Sequence, residues 1–150
     1  KLKRIYSGKN DGFKYRNFHK KCDYKGATLT LVKNDYNAIF GGYTQLSWQN
    51  NKGYRTDNSA FLYQFYPNKH IILQKYNNNG NDAVEHHPEW LSCFGYGPDM
   101  YISHRCNENY QSGSIPSTYK FKTKQLVGGI KNKDAVTFKV INIEVFNVFQ

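Results

Sequence analysis

The spacing of apolar residues near the N-terminus is that of a helix. In the segment 13–22, Phe13, Phe18 and Cys22 fall roughly along one side of a helix. Asp11 precedes this segment, and aspartate is a favoured N-cap residue because its carboxylate accepts hydrogen bonds from the first backbone amides. The pattern therefore predicts a helix over 13–22 with Asp11 as its candidate cap.

After this segment the pattern changes to the period of two that is typical of a strand. In the segment 27–31 the apolar residues occupy odd positions and the threonines even positions, which predicts a strand whose threonine face is wet. Gly41 and Gly42 interrupt the next apolar run, which indicates a β-bulge or a close approach to the backbone. Leu46 and Trp48 then share one strand face, so Trp48 is a predicted core residue.

Two later segments carry information on topology. Residues 61–66 are apolar or aromatic on both faces, which predicts a central strand covered on both sides. Residues 70–73 follow after a short turn, so the two segments are predicted to form a hairpin. Near the C-terminus the inward-facing parity changes between Val140 and Ile141. A β-bulge or a change of sheet explains such a change.

These patterns amount to about eight to ten short strands with one or two helices. The predicted fold class is mainly β (α+β), an antiparallel β-sandwich with one or two flanking short helices. The length of 150 residues suits one domain, and no internal repeat divides it. No apolar run reaches the roughly 18 residues of a transmembrane helix, and no secretory signal is recognisable.

The composition adds a strong positive charge. Lys and Arg number 21 against 11 Asp and Glu, giving a formal net charge of +10. Such an excess can mark a nucleic-acid partner, but here most cations are dispersed and we expect no nucleic acid. The spacing of two from residue 120 to residue 124 predicts three ammonium groups on one strand face, either solvated or docking an acidic partner. The densest group of lysines is Lys120, Lys122, Lys124, Lys131 and Lys133.

The sequence contains no complete catalytic or metal-binding constellation. His86 and His87 are adjacent, so on extended backbone they point to opposite faces and cannot easily bind one ion together. Cys22 lies one helical turn after His19, but it also continues the apolar stripe and is expected to be a buried thiol. The three cysteines include no C-x-x-C pair, which argues against a zinc ribbon and for reduced thiols. We expect no cofactor and no metal.

Seven short blocks are spread along nearly the whole chain: residues 18–23, 25–32, 39–43, 46–48, 60–62, 94–102 and 143–146. Together these blocks resemble the TLDc domain, the module shared by the oxidation-resistance proteins and their relatives. The resemblance implies the same mainly β architecture. It also implies a single TLDc domain over residues 1–150 that forms part of a longer chain.

Two acidic residues fall within these blocks. Glu144 occupies the place where TLDc domains keep a glutamate between apolar neighbours, and Asp99 follows the glycine turn. The two carboxylates could form an acid–base pair if folding brings them together. The simpler interpretation has Glu144 accepting hydrogen bonds from a neighbouring loop and pinning it. Family members often carry a longer glycine run at the turn, whereas Tyr96 and Pro98 stand here, which predicts reduced mobility of the turn.

The resemblance implies a non-catalytic interaction module. For the family it implies roles in protection from oxidative damage and, for several members, binding to the vacuolar proton pump (V-ATPase) and regulation of it. A cytoplasmic location, at endomembranes through a partner, fits these roles. The candidate binding residues are Lys120, Lys122, Lys124, Asp99 and Glu144.

Two alternatives remain open from the sequence. One is a structural component of a large assembly, docked through the lysine-rich face on an acidic surface such as a microtubule wall. The other is a weak redox enzyme, which would need an exposed thiol of lowered pKa. Its candidate groups are Cys22, Cys93 and Cys106, with Asp99 and Glu144 nearby.

Overall fold

A computed structural model of the chain describes residues 1–66 and 72–150. Two six-stranded antiparallel sheets form a sandwich, which confirms the predicted fold class. In spatial order the first sheet contains β1 (Leu2–Ser7), β12 (Val140–Val148), β2 (Thr28–Asn34), β3 (Ile39–Thr44), β5 (Phe61–Tyr66) and β6 (Ile72–Asn77). The second contains β11 (Val136–Phe138), β10 (Ser112–Ser114), β9 (Met100–Tyr101), β8 (Cys93–Phe94), β7 (Val84–His86) and β4 (Gly53–Arg55).

Three short helices flank the sheets within the described residues: α1 (Gly8–Asp11), α2 (Tyr15–Cys22) and α3 (Thr123–Leu126). The longest helix in the described residues has eight residues, so none there is long enough to span a membrane.

The second helix confirms the predicted element but not its predicted cap. Helix α2 begins at Tyr15, two residues later than predicted, and buries Phe18 and Cys22 of the predicted stripe. Phe13 lies before the helix and is partly buried. Lys14 holds the N-cap position. The carboxylate of Asp11 instead accepts a hydrogen bond from the backbone N–H of Ser7, because Asp11 ends the separate helix α1.

The predicted change of parity near the C-terminus is confirmed as a change of sheet. Phe138 ends β11 in the second sheet, and Val140 begins β12 in the first. The pairing of β12 with β2 also shifts register between Val140 and Asn142. Ile141 lies at this bulge with 44% of its surface exposed, and regular inward alternation resumes at Ile143.

The orientation of β2 is the reverse of the prediction. Thr28 and Thr30 are fully buried, whereas Leu29 and Leu31 are only partly buried on the outer side of the sheet. The expectation of a wet threonine face was therefore wrong. A period of two identifies a strand but does not by itself say which face is covered.

Hydrogen bonds between side chains explain why threonines can face the core. The indole N–H of Trp48 donates to the Thr28 hydroxyl at 2.9 Å. The Thr30 hydroxyl bonds to the Ser92 hydroxyl, which belongs to the segment before β8, at 3.0 Å. Each buried hydroxyl thus has a partner, which removes most of the cost of burying it.

Trp48 lies at the centre of the core, as predicted, with 1% of its surface exposed. Its ring packs against Phe18 of α2 and Phe94 of the second sheet, with ring centroids 5.8 and 5.5 Å away. One residue therefore joins the helix to both layers.

The Gly-Gly pair of β3 permits close contacts on both sides of the sheet. A Cβ atom on Gly41 would lie 1.8 Å from the backbone oxygen of Thr30 and 2.6 Å from the Tyr63 hydroxyl. A Cβ atom on Gly42 would lie 2.6 Å from the ring of Phe94. The pairing of β3 with β2 is regular, so the predicted close approach is present and the bulge is not.

Strand β5 is the penultimate strand of its sheet and pairs with both β3 and β6. The β5–β6 pairing, with Tyr66 opposite Ile72, confirms the hairpin, although residues 67–71 lie outside the described part of the chain. Phe61 and Phe65 are only partly buried on the outer side of the sheet. Among the described residues no layer covers that side, so the expectation of a strand covered on both faces was wrong.

The Trp48–Thr28 hydrogen bond generates a test of the observed β2 orientation. We expect Thr28→Val to lower the free energy of unfolding by about 1–3 kcal/mol, because the buried indole N–H loses its acceptor. Thr28→Ser keeps the hydroxyl and is the matched control, with a smaller loss. Urea unfolding measures both. A Thr28→Val protein as stable as wild type would restore the wet-face interpretation.

Candidate functional site

Asp99 is a fully buried carboxylate at the tight turn between β8 and β9. It accepts hydrogen bonds from the backbone N–H groups of Ser117, Thr118 and Tyr119 at 2.8, 3.0 and 2.8 Å. Gly95 makes room for it, since a Cβ atom there would lie 1.9 Å from one carboxylate oxygen. The absence of a side chain at Gly95 therefore makes space for the Asp99 carboxylate, in addition to allowing the chain to reverse.

These contacts assign Asp99 a positioning role. A buried carboxylate is costly unless it is hydrogen-bonded, and several N–H donors aimed at its oxygens offset much of that cost. In return, Asp99 fixes the segment from Ser117 to Tyr119, which runs into Lys120. The role of pinning a loop, which the sequence suggested for Glu144, belongs to Asp99.

Glu144 lies on the outer side of the first sheet. Its carboxylate forms an ion pair with the Arg4 guanidinium at 2.6 Å, with 23% and 49% of the two side chains exposed. The partner is thus on the neighbouring strand β1 and not on a loop. Asp99 is buried in the second sheet with other partners, so the fold does not make these two carboxylates an acid–base pair.

The candidate lysines do not lie on a strand, contrary to the expectation from their spacing. Lys122 holds the N-cap position of α3, and Lys124 lies within that helix. Lys120 precedes them in an irregular segment. The rule that alternate residues share a strand face therefore does not apply. All three side chains are nevertheless exposed.

Folding brings two of these lysines to a shallow surface depression. Lys122 and Lys124 line it together with Lys133 from the following loop, and Asp134 is the acidic residue of its lining. Lys120 is exposed but outside the lining. We call Lys120, Lys122, Lys124 and Lys133 the lysine surface. Its chemistry is that of a docking site for anionic groups.

The three thiols are buried, as predicted for Cys22. Burial raises the pKa of Cys106 to about 12. Burial, with a smaller contribution from Asp23, raises the pKa of Cys22. Cys93 donates a hydrogen bond to the buried Glu85 at 3.5 Å, and burial followed by this carboxylate raises its pKa well above the ordinary value. Reactive thiols need a lowered pKa and exposure to solvent, whereas these three thiols have a raised pKa and are buried.

His19 is engaged by acceptors and does not bond to Cys22. Its Nδ1 lies 2.8 Å from an Asp23 carboxylate oxygen, and its Nε2 lies 3.0 and 2.9 Å from the backbone oxygens of His87 and Trp90. Nε2 therefore donates to the two carbonyl oxygens, which can only accept, and Nδ1 faces the Asp23 carboxylate. His19 fastens α2 to the loop after β7.

His86 and His87 have different surroundings, as their adjacency predicted. His86 is 2% exposed and neither of its ring nitrogens has a partner among the described residues. Burial, with Arg55 and His19 adding to its effect and Asp23 opposing it, lowers the pKa of His86 to about 4. Within residues 1–66 and 72–150, no group of three or more His, Cys, Asp or Glu side chains could hold a metal ion.

A second structural carboxylate, Asp57, was not identified from the sequence. It is 2% exposed and accepts hydrogen bonds from the hydroxyls of Thr44 and Ser59 at 2.6 Å each. Its pKa is lowered because these bonds outweigh burial, which acts to raise it. The sequence signal for this role was the Asp-x-Ser motif at residues 57–59, since an aspartate side chain commonly accepts hydrogen bonds from groups two residues later.

Comparison with known proteins agrees with this arrangement. The family model described as TLDc domain matches residues 1–149. MTOR-associated protein MEAK7 of Danio rerio is 30% identical over 63 residues, which are 42% of this chain and 14% of the relative. The chain therefore matches only a small part of the length of that relative.

The two candidate carboxylates should differ strongly in their contribution to stability. We expect Asp99→Ala to lower the free energy of unfolding by at least ~3 kcal/mol, because several buried N–H groups lose their acceptor. Glu144→Ala should cost at most about 1 kcal/mol, since an exposed ion pair contributes little. Arg4→Ala is the matched control for Glu144→Ala, and urea unfolding measures all three. Equal losses in Asp99→Ala and Glu144→Ala would contradict these roles.

The lowered pKa of His86 predicts a specific dependence of stability on pH. The unfolded chain binds a proton at this residue below about pH 6.5, whereas the folded chain binds it only near pH 4. Stability should therefore fall as the pH drops from 6.5 to 4. We expect His86→Leu, which removes both unpaired nitrogens, to flatten this part of the curve. Parallel curves for wild type and variant in denaturant unfolding would show that His86 stays solvated.

Proposed function

Because the chain belongs to the TLDc domain family, we propose that it serves as a non-catalytic protein-interaction module. The observation that carries this proposal is the lysine surface, with three lysines around one depression. The candidate catalytic groups have structural roles or are inaccessible. Asp99 accepts hydrogen bonds from backbone amides, Glu144 pairs with Arg4, and the three thiols are buried.

The proposed partner is the V-ATPase, which the protein would bind and regulate in the way implied for several TLDc proteins. The proposed role of the protein also includes protection from oxidative damage. A net charge of +10 favours approach to an acidic surface of such an assembly. The relative MEAK7 is named as MTOR-associated, which supports association with another protein as the general mode of action. We place the protein in the cytoplasm, reaching endomembranes through its partner, as one TLDc domain of a longer chain.

The alternatives receive unequal support. A structural component of another large assembly, such as one with the acidic surface of a microtubule wall, would use the same lysine surface and differs only in the partner. A thiol-based redox enzyme would need an accessible thiolate. The raised pKa values and burial of all three cysteines count against it.

The lysine surface is tested by reversing its charge. We expect Lys120→Glu, Lys122→Glu and Lys124→Glu together to weaken capture of purified V-ATPase, and to do so more at low salt than at high salt. The reason is that exposed charges are screened beyond about 10 Å at 0.1 M salt. Pull-down with the tagged full-length protein at the two salt concentrations measures the effect.

A second triple variant controls for the overall change of charge. Lys20, Lys25 and Lys52 are exposed lysines elsewhere, and changing them to Glu also lowers the net charge from +10 by six units, to +4. This control should capture the pump nearly as well as wild type. Equal capture by wild type and the first triple variant would remove the lysine surface from consideration. Capture of tubulin in place of the pump would favour the structural alternative.

A further inference from the structure

The outer side of the first sheet carries a row of apolar side chains. Phe146, Leu29, Tyr43 and Phe61 lie side by side on four successive strands, and the last two rings stack at 5.3 Å. Tyr63 lies across Gly41 and donates to the Thr30 backbone oxygen at 2.6 Å, which fills the dent that the glycine leaves. We call this side the outer apolar face: Leu29, Leu31, Ile39, Tyr43, Phe61, Phe65, Ile141 and Phe146.

No other layer covers the outer apolar face in the described part of the chain. Helix α3 packs on the opposite side, where the buried side-chain amide of Asn34 donates to the Val127 backbone oxygen just after that helix. Tyr63 is buried among its neighbours at 2% exposure, but every member of the outer apolar face is at least partly exposed, and Ile141 is 44% exposed. Contiguous apolar surface of this kind commonly marks an interaction site.

One end of the face forms a groove with an apolar floor and basic edges. Leu31, Ile39 and Ile141 supply the apolar lining, and Lys9 and Lys33 add two exposed ammonium groups. Glu144 also lines the groove, but Arg4 neutralises it at 2.6 Å. The net charge of the groove is therefore positive, because Lys9 and Lys33 have no acidic residue of the lining left to offset them. Farther along the face Lys75 lies over the Phe61 ring, 4.2 Å from its centroid.

We propose that the outer apolar face is a second docking surface, for a segment of a partner protein that carries a large apolar side chain flanked by carboxylates. The apolar side chain would enter the groove between Leu31, Ile39 and Ile141. The carboxylates would meet Lys9 and Lys33, which would orient the segment. This inference goes beyond the proposed function, because it concerns a surface other than the lysine surface.

The shape and charge of the face favour this occupant over two others. Apart from Ile141 the apolar residues of the face are only partly exposed, which suits a protruding side chain of a partner better than insertion into a bilayer. A second copy of the chain would bring the same patch against itself in a two-fold contact. Lys9 and Lys33 would then face the lysines of the other copy, which is unfavourable.

Site-specific photo-crosslinking in the full-length protein, in its own cells, tests the proposal. A photoreactive phenylalanine replaces Ile141 in one variant and Tyr24 in the other. Tyr24 is the control, since it is an exposed aromatic residue (72%) that belongs neither to the outer apolar face nor to the lysine surface. We expect position 141 to yield at least several-fold more crosslinked protein than position 24. Mass spectrometry should identify a crosslinked segment with an apolar residue flanked by carboxylates.

Two charge variants then examine the chemistry, with a synthetic peptide of the crosslinked segment as the probe. We expect Ile141→Asp to weaken its binding about tenfold, which corresponds to about 1.4 kcal/mol. Lys33→Glu should weaken it several-fold without touching the apolar floor. Both positions are exposed, and thermal melting checks that the fold is intact.

Other outcomes would overturn the proposal. They are equal crosslinking at both positions, crosslinking at position 141 to lipid, to a second copy or to a segment without carboxylates, and unchanged peptide binding in Lys33→Glu. The lysine-surface triple variant separates the two hypotheses, because it should retain the crosslink at position 141. Loss of pump capture with an intact crosslink would support both surfaces independently, and an absent crosslink with normal salt-sensitive capture would remove only the second one.

Discussion

The close approach of other groups to the backbone at Gly41 and Gly42 is the constraint on which the sandwich depends. On the inner side Phe94 from the second sheet occupies the space where a side chain of residue 42 would stand. Phe94 in turn packs on Trp48, which joins α2 to both layers. On the outer side Tyr63 lies across residue 41. A methyl group at either glycine would displace an aromatic ring or backbone, so this pair permits the close approach of Phe94 on one side of the sheet and of Tyr63 on the other.

Buried polar groups supply the second level of organisation. Asp99 collects the amides of Ser117, Thr118 and Tyr119, and this segment leads directly into Lys120 and α3. Asp99 therefore affects the proposed lysine surface indirectly, because it fixes the segment that leads into that surface. Replacing Asp99 should therefore cost stability, and under the proposed function it should also weaken partner binding without removing a contact to the partner. Stability and partner capture have to be measured on the same variants to separate the two effects.

The surface divides the work of the proposed module between two chemistries. The lysine surface presents exposed ammonium groups around a shallow depression, which is suited to long-range attraction and to salt-sensitive contacts. The outer apolar face offers partly exposed aliphatic and aromatic side chains, which is suited to short-range anchoring. Charge mainly affects the rate of encounter, and buried apolar contacts mainly affect the lifetime of a complex. A domain with both needs no catalytic group to act on a large assembly.

The sequence by itself determined the mainly β class, the helix ending at Cys22, the β5–β6 hairpin, the core position of Trp48 and the change of sheet after Phe138. Each of these is encoded in local periodicity or in the position of glycine and aromatic residues. Only the tertiary structure decided which face of β2 is buried. Periodicity is symmetric between the two faces, and the threonines became inner residues because Trp48 and Ser92 offered them hydrogen bonds.

The same limit applies to the candidate site. The sequence identified Asp99 and Glu144 as acidic residues worth attention, but their partners lie 18 or more residues away along the chain. Their roles depend on whether folding delivers backbone amides, as it does to Asp99, or one exposed guanidinium, as it does to Glu144. The lysines were misplaced on a strand because spacing of two cannot distinguish a strand from an irregular segment that leads into a short helix. Long-range contacts, which no local pattern records, made these choices.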